Sequence, residues 1–309
     1  MKTKNLATIF AILAAALYAI NIPLSKLLLQ KVDATMMAAF LYLGAGIGML
    51  LYCLGRGFAD RTLIRRNFLG SMFSDGNCAK KELLTKKELP YTIAMVVLDI
   101  IAPILLMLGI ARTNSANASL LNNFEIVATS LIALLIFKEV ISKKVWLAIG
   151  LVTIASVILS FEGEGALVFN EGSLLVLGAC ICWGFENNCT KMLSDKSSEE
   201  IVIIKGCFSG LGSFIVALMV GESIPQLKWI LAVLLLGFVA YGLSINFYIM
   251  AQKDLGAART SAYYSIAPFL GVAFSMLLLG ERPALQFYVG LAIMVVSTVL
   301  LAKDTDDIM

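Results

Sequence analysis

The chain has 309 residues, 60% of them hydrophobic and 15% charged, with a mean hydropathy of +0.89 and a formal net charge of +3. A soluble domain is usually near half apolar and a quarter charged, so a fully hydrated exterior is excluded and a bilayer is the solvent that fits. Ten spans of about 20 residues would take roughly two-thirds of the length, which excludes a large soluble head or ectodomain.

Apolar stretches run roughly over 6–29, 33–54, 90–111, 116–137, 144–161, 172–192, 200–220, 227–251, 259–279 and 284–302. The first follows Lys2 and Lys4 and carries Ala14 and Ala16, as a signal peptide would. Its apolar run continues to Leu29, however, and its second half resembles a later segment, so it reads as a retained helix. Pro90, Pro225 and Pro283 fall at or just before expected helix starts, where a missing N–H is harmless. Pro23, Pro103 and Pro268 fall inside, as expected kinks or breaks. Between the second and third stretches, Gly55–Glu88 sets Arg56, Arg61, Arg65 and Arg66 among Phe58, Leu63, Phe68, Leu69, Met72 and Phe73. That pattern predicts a basic amphipathic insertion lying on a membrane surface.

Charge is strongly sided along this order. With the N-terminus inside, the long 55–88 insertion and nearly every other Lys and Arg fall on the inner side. Only Lys26, Lys31, Arg112, Lys228 and Arg282 fall outside, and the connection after the fifth stretch holds Glu162, Glu164 and Glu171 with no base. The positive-inside rule then predicts a multi-pass protein of the cell (inner) membrane with both termini cytoplasmic.

Chemistry by side-chain catalysis has little to work with. The sequence has no histidine, which removes His-dependent triads and HExxH zinc sites. There is no GxSxG and no Walker A sequence, so neither that hydrolase elbow nor P-loop nucleotide hydrolysis is expected. Of the six cysteines, all but Cys78 lie in apolar stretches and read as free thiols in helices. The chain is read as a non-enzyme, with no metal, no cofactor and no nucleic-acid partner expected.

Two internal matches give the organisation. Ala14–Lys26 aligns without gaps on Ala179–Lys191, pairing Tyr18 with Trp183, Ser25 with Thr190 and Lys26 with Lys191. Ser115–Glu139 aligns on Ala257–Glu281, pairing Ser119 with Ser261 and Glu139 with Glu281. The order is the same in both, and the offsets differ by the length of an insertion in the first half. Five helices per repeat is an odd number, so the halves must lie in opposite orientation. The predicted fold is all-α integral membrane, with ten transmembrane helices in two inverted five-helix repeats, residues 5–161 and 172–302. Inverted repeats around a midplane site are the architecture of secondary transporters.

Ala111–Glu139 (ARTNSANASLLNNFEIVATSLIALLIFKE) and Gln252–Glu281 (QKDLGAARTSAYYSIAPFLGVAFSMLLLGE), with the pairs Tyr18-Ala19 and Trp183-Gly184, carry a further resemblance. The chain resembles the EamA-type ten-helix members of the drug/metabolite transporter superfamily, over nearly its whole length except Gly55–Glu88. The second half fits better, having Pro268 and Gly280-Glu281 where the first has Ile126 and Lys138-Glu139. The resemblance implies alternating access and more often export, and leaves the solute open.

Ionisable groups inside apolar helices are the candidate site. Asp99, Glu125 and Glu186 would each cost a few kcal/mol facing lipid, so each should face the bundle or water. They read either as binders of a cation or proton, or as partners of a buried base among Lys26, Arg112, Lys191 and Lys205. Asn122, Glu125 and Thr129 share one helical stripe; Tyr18, Asn21 and Ser25 share another, as do Trp183 and Glu186. Tyr264 is the repeat counterpart of Asn122, and Tyr241 that of Asp99. Substrate binding is therefore assigned to Tyr18, Asn21, Asp99, Asn122, Glu125, Trp183, Glu186, Tyr241 and Tyr264. Carboxylates among aromatic faces suit an ammonium group by cation–π contact. The expected partners are a small amino-acid or amine-like solute, protons or another coupling ion, and membrane lipids. Lys205 is expected to snorkel to the cytoplasmic interface. Gly206, Gly210 and Ser213, like Gly44 and Gly48, are expected to let helices approach closely. Glu139 and Glu281 are read as structural markers at a membrane face. The rival reading is a non-transporting polytopic protein, a sensor or assembly factor.

Overall fold

The computed structural model describes residues 2–61, 86–136, 143–160, 170–193, 198–255, 264, 266–283 and 285–307. Most of the 55–88 insertion and Glu139 lie outside the described residues, as does Cys78. Among the described residues the regular structure is all helical. The first half holds α1 (Lys2–Ala19), α2 (Asn21–Leu28), α3 (Ala34–Arg61), α4 (Leu89–Arg112), α5 (Ser115–Leu121), α6 (Phe124–Leu135) and α7 (Lys143–Ser160). The second holds α8 (Glu171–Lys191), α9 (Ser198–Ile204), the π-helical turn π1 (Lys205–Ser209) and α10 (Gly210–Val220). It continues through α11 (Leu227–Gly237), the π-helical π2 (Phe238–Leu243), α12 (Ser244–Leu255), α13 (Ala267–Leu279) and α14 (Leu285–Asp307).

Polarity is inverted relative to a soluble protein. Leu277 is 80% exposed and Met219 81%, while Asp99 and Asn21 are fully buried. Large apolar surface facing outward, with carboxylates and amides within, is stable only if the surroundings are hydrocarbon. The protein is an all-α membrane protein. Among the described residues five stretches are long and apolar enough to cross a bilayer, 6–28, 34–55, 89–112, 199–220 and 227–248, and shorter apolar helices cover 146–159, 267–279 and 285–297. Breaks and polar residues interrupt two further expected spans. Residues 115–135 are split at Asn122-Asn123, and α8 carries Glu186, Asn187, Asn188 and Thr190.

The prolines act in two ways. Pro23 sits in the first turn of α2 just after the break at Ile20, and Pro268 in the first turn of α13. Pro103, expected as a kink or a break, stays inside a continuous α4. Two helix starts are written locally: Asn114 accepts from Asn117 N–H at 2.7 Å and Asn170 from Ser173 N–H at 3.2 Å, each a side-chain N-cap.

Helix α3 is the hub, packed on α4, α10, α11 and both π turns. It reaches them by removing side chains from the contact. A Cβ on Gly44 would lie 2.1 Å from the Leu234 carbonyl oxygen, and one on Gly237 would lie 2.0 Å from that of Leu41. Gly46 and Gly206 face each other as closely, with a Cβ on Gly206 only 2.4 Å from Gly46 N. Without a hydrophobic force between helices in lipid, such close packing supplies the association. Elsewhere α8 packs on α4 and α6, α1 on α12 and α13, α5 on α13, and α7 on α14.

Substituting Gly237→Ala forces a methyl into backbone that has nowhere to retreat, a change of about 1–3 kcal/mol. Its thermal unfolding midpoint in detergent is expected to fall clearly. The control, Gly150→Ala, adds a Cβ with nothing within 4 Å and is expected to leave the midpoint unchanged or raise it. Equal midpoints for the two variants would refute the α3–α11 packing.

Candidate functional site

The polar residues converge where α3, α4, α8 and π1 meet. Asp99 projects from the middle of α4 and Glu186 from α8. Between them stands the Lys205 ammonium, 3.1 Å from Asp99 Oδ2 and 3.0 Å from Glu186 Oε1. Tyr42 of α3 donates its hydroxyl to Asp99 Oδ1 at 3.0 Å, and Trp183 Nε1 donates to the Tyr42 oxygen at 3.3 Å. Thr190, one turn beyond Glu186, donates to Glu186 Oε1. Lys205 therefore does not snorkel to an interface: its side chain is 17% exposed and its charge is drawn inward. The physical reason is the pair of carboxylates, which stabilise a buried ammonium more than a partial route to water would.

An aromatic layer continues from Tyr42. Its ring centroid lies 5.4 Å from that of Tyr241, Tyr241 lies 5.9 Å from Tyr18, and Tyr18 lies 5.8 Å from Tyr264. Each hydroxyl has a polar neighbour. Asn21 Nδ2 donates to the Tyr241 oxygen at 3.1 Å and Asn122 Nδ2 to the Tyr18 oxygen at 3.1 Å. Ser244 donates to the Ala14 carbonyl and lies 3.5 Å from the Tyr264 hydroxyl. Asn21 is in turn held by Ser25, whose hydroxyl donates to its Oδ1 at 3.2 Å.

Glu125 opens α6, just beyond the Asn122-Asn123 break. Its carboxylate accepts from Asn187 Nδ2 at 2.7 Å, and the same amide reaches Thr129 Oγ1 at 3.2 Å. Gly184 clears the way for that contact, since a Cβ there would lie 2.7 Å from Ala128 Cβ.

The nine residues singled out in the sequence thus fall into linked groups. Tyr18, Asn21, Asn122, Tyr241 and Tyr264 form the tyrosine–amide layer. Asp99, Trp183 and Glu186 join it through Tyr42 and Lys205, and Glu125 is tied to α8 by Asn187. Tyr42, Asn187 and Thr190 were not singled out in the sequence, and Lys205, read there both as snorkelling and as partner of a buried carboxylate, is the partner. The signals were present: Glu186-Asn187-Asn188 is a polar run inside an apolar helix, and a lysine five residues into a span needs a partner.

One face of the bundle is fastened by charged side chains on helix ends. Lys26 donates to the carbonyls of Ile110, Ala111 and Thr113 at the end of α4. Glu222 accepts from Thr35 N–H at 3.0 Å and Met36 N–H at 2.6 Å at the start of α3. Glu281 accepts from Ser115 N–H and Ala116 N–H, both at 2.9 Å, at the start of α5. Both glutamates follow a left-handed glycine that ends its helix, Gly221 at φ 86° and Gly280 at φ 64°. That turn is open to glycine at little cost, and it swings the next residue onto a neighbouring helix. The carboxylates satisfy N–H groups that have no partner within their own helix, and complement the helix dipole.

The model of the EamA-like transporter family matches residues 5–161 and 170–303. The chain belongs to the EamA-like transporter family. An uncharacterized transporter of Methanothermobacter thermautotrophicus is 25% identical over 279 residues, covering 87% of this chain and 78% of the relative. A crystal structure with 14% sequence identity superposes at a TM-score of 0.65 over 95% of this chain and 94% of that one, a likeness of fold. This EamA-like protein is a multi-pass membrane transporter; its family and relative point to transport rather than catalysis, and so to a small-molecule substrate.

Truncating Glu281 or Glu222 to alanine strips a charged acceptor from two helix N–H groups, at about 1.5–3 kcal/mol for charge-assisted bonds. Each variant is expected to lower the unfolding midpoint, and more than Glu171→Ala, whose carboxylate is exposed in the first turn of α8. No difference from Glu171→Ala would remove the assigned capping role.

Proposed function

We propose that the protein is a secondary-active transporter of a small amine-like or amino-acid solute, working by alternating access between two inverted five-helix repeats, residues 5–161 and 172–302. The packing supports the repeats. Exchanging α1–α2 with α8, α3 with α9–α10, α4 with α11–α12, α5–α6 with α13, and α7 with α14 maps each major contact onto another. The α4–α8 contact becomes α12–α1, α6–α8 becomes α13–α1, and α3–α11 becomes α10–α4. The α3–α10, α5–α13 and α7–α14 contacts map onto themselves, as contacts across a two-fold axis must.

The observation that carries the functional reading is the charge count at Lys205. Two carboxylates from opposite repeats face one ammonium within the bundle, with Glu125 a third carboxylate on α6. An uncompensated charge in such surroundings is costly. A proton or a cationic solute supplies the balance, which couples occupancy of the site to ion movement. The tyrosine layer beside it offers ring faces and hydroxyls to the remainder of an amphipathic solute.

By the positive-inside rule the protein lies in the inner membrane with both termini cytoplasmic, so the face fastened by Lys26, Glu222 and Glu281 is the outer one. Glu222 and Glu281 belong to the second repeat and hold helix starts of the first. Opening outward therefore requires those bonds to break, and export, the direction the family resemblance implies more often, is the direction we assign.

Purified protein in proteoliposomes loaded with an amine and amino-acid mixture, read by mass spectrometry of the external medium, tests transport. Glu125→Gln keeps the shape and the Asn187 contact but cannot titrate. It is expected to fold normally and to lose flux or the pH dependence of flux. Wild-type flux with an unchanged pH response would contradict the role of Glu125. Absence of solute flux through the wild type would contradict transport of this solute class.

A further inference from the structure

We propose that Lys205 is a tethered counter-cation, an ammonium of the chain itself that holds the Asp99–Glu186 pair against the primary ammonium group of the transported solute. The inference rests on the transporter reading and names the ligand chemistry of its site. Lys205 Nζ makes the contacts that a primary amine would make, 3.1 Å from Asp99 Oδ2 and 3.0 Å from Glu186 Oε1. A primary ammonium carries three N–H donors, and the two carboxylates lie on different helices, so a single small cation bridges α4 and α8.

The balance of charge makes room for a second cation. When both are ionised, Asp99 and Glu186 carry two negative charges against the one of Lys205. A solute ammonium that takes one carboxylate while Lys205 keeps the other leaves a neutral foursome, rather than an expelled charge. On Asp99 the position is clear, because Tyr42 donates to Oδ1 and leaves Oδ2 to the cation, whereas on Glu186 Thr190 shares Oε1 with Lys205.

The part that yields is the lysine stem. The backbone beneath it is fixed, because Gly206 packs on Gly46 so closely that a Cβ would lie 2.4 Å from Gly46 N. Above that backbone stands a flexible four-carbon chain. The residue opens π1, and single π turns within α-helices are frequent at functional sites. Lys205 thereby sets specificity: a ligand must offer a cation that competes with a primary ammonium for N–H-to-carboxylate bonds. A quaternary ammonium, which has no N–H, does not.

The test is the thermal unfolding midpoint of the full-length protein in detergent, titrated with methylammonium chloride, with tetramethylammonium chloride and sodium chloride as matched controls. A ligand that binds only the folded state raises the midpoint. Lys205→Met is expected to respond to methylammonium at concentrations roughly tenfold or more below those the wild type needs, because the internal competitor is gone. Asp99→Asn/Lys205→Met is expected to weaken the response relative to Lys205→Met. Equal curves for wild type and Lys205→Met, an undiminished response in the double variant, or an equal response to the control salts would overturn the proposal. Should Lys205→Met not fold, Lys205→Arg keeps the charge and grips carboxylates in two-pronged fashion. It is expected to respond less than wild type, and an undiminished response would overturn the proposal equally. Flux separates the two readings. A methylammonium response in Lys205→Met without amine flux through the wild type leaves the cation site standing and removes the transport of amines. Amine flux with equal curves removes the tethered cation alone.

Discussion

A charged group in hydrocarbon must find an opposite charge, and the bundle is arranged around one such requirement. Lys205 meets Asp99 and Glu186 at 3.1 and 3.0 Å, and those residues stand on helices from both halves of the chain. Removing one partner of a buried ion pair leaves an uncompensated charge at a cost of about 3–5 kcal/mol. The triad thus joins α4, α8 and π1, and Tyr42 draws α3 into the same junction through its bond to Asp99. The arrangement is at once a fastening and a site, because the same two carboxylates that hold the helices are acceptors for a cation.

That junction depends on how closely the helices come together. Glycines on α3 face carbonyls and glycines on π1 and α11, so the axes approach where the charged side chains need short reach. At one face the opposite device appears. There the helix ends are fastened by long charged side chains, Lys26 on carbonyls and Glu222 and Glu281 on N–H groups. Those contacts are polar and reversible, whereas the glycine contacts are steric and fixed. The proposed alternating access would use that difference, rocking two halves about the fixed centre.

The membrane fold and the polar layer were legible in the sequence for one reason: hydrocarbon punishes polar atoms, so each polar residue in an apolar helix is informative. Asp99, Glu186, Asn21 and Asn122 were readable on that ground, and all are buried. Tyr18, Trp183, Tyr241 and Tyr264 came from repeat alignment and helical stripes. Tyr42 was not readable, because a tyrosine also suits an interface and only its bond to Asp99 distinguishes it. Lys205 was readable both as a snorkelling residue and as partner of a buried carboxylate, because distance along a helix does not reveal which neighbours surround it; the pair with Asp99 and Glu186 decides it. Pro103 was expected to kink or break α4, and the helix runs on through it, packed on α8 and α3. The caps by Glu222 and Glu281 needed three-dimensional knowledge of which helix start lies beside which helix end.

The central claim is that the buried polar layer becomes accessible from the face now fastened by Glu222 and Glu281. Ser25 is fully buried and lies between that face and Asn21, so a cysteine placed there reports on opening. In a background without native cysteines, Ser25→Cys is labelled by a membrane-impermeant maleimide added outside, with and without Glu222→Gln/Glu281→Gln. The account predicts slow labelling in the parent and markedly faster labelling once both carboxylates are neutral, in protein that still unfolds cooperatively. Labelling that is equally slow in both, with the fold intact, would contradict it.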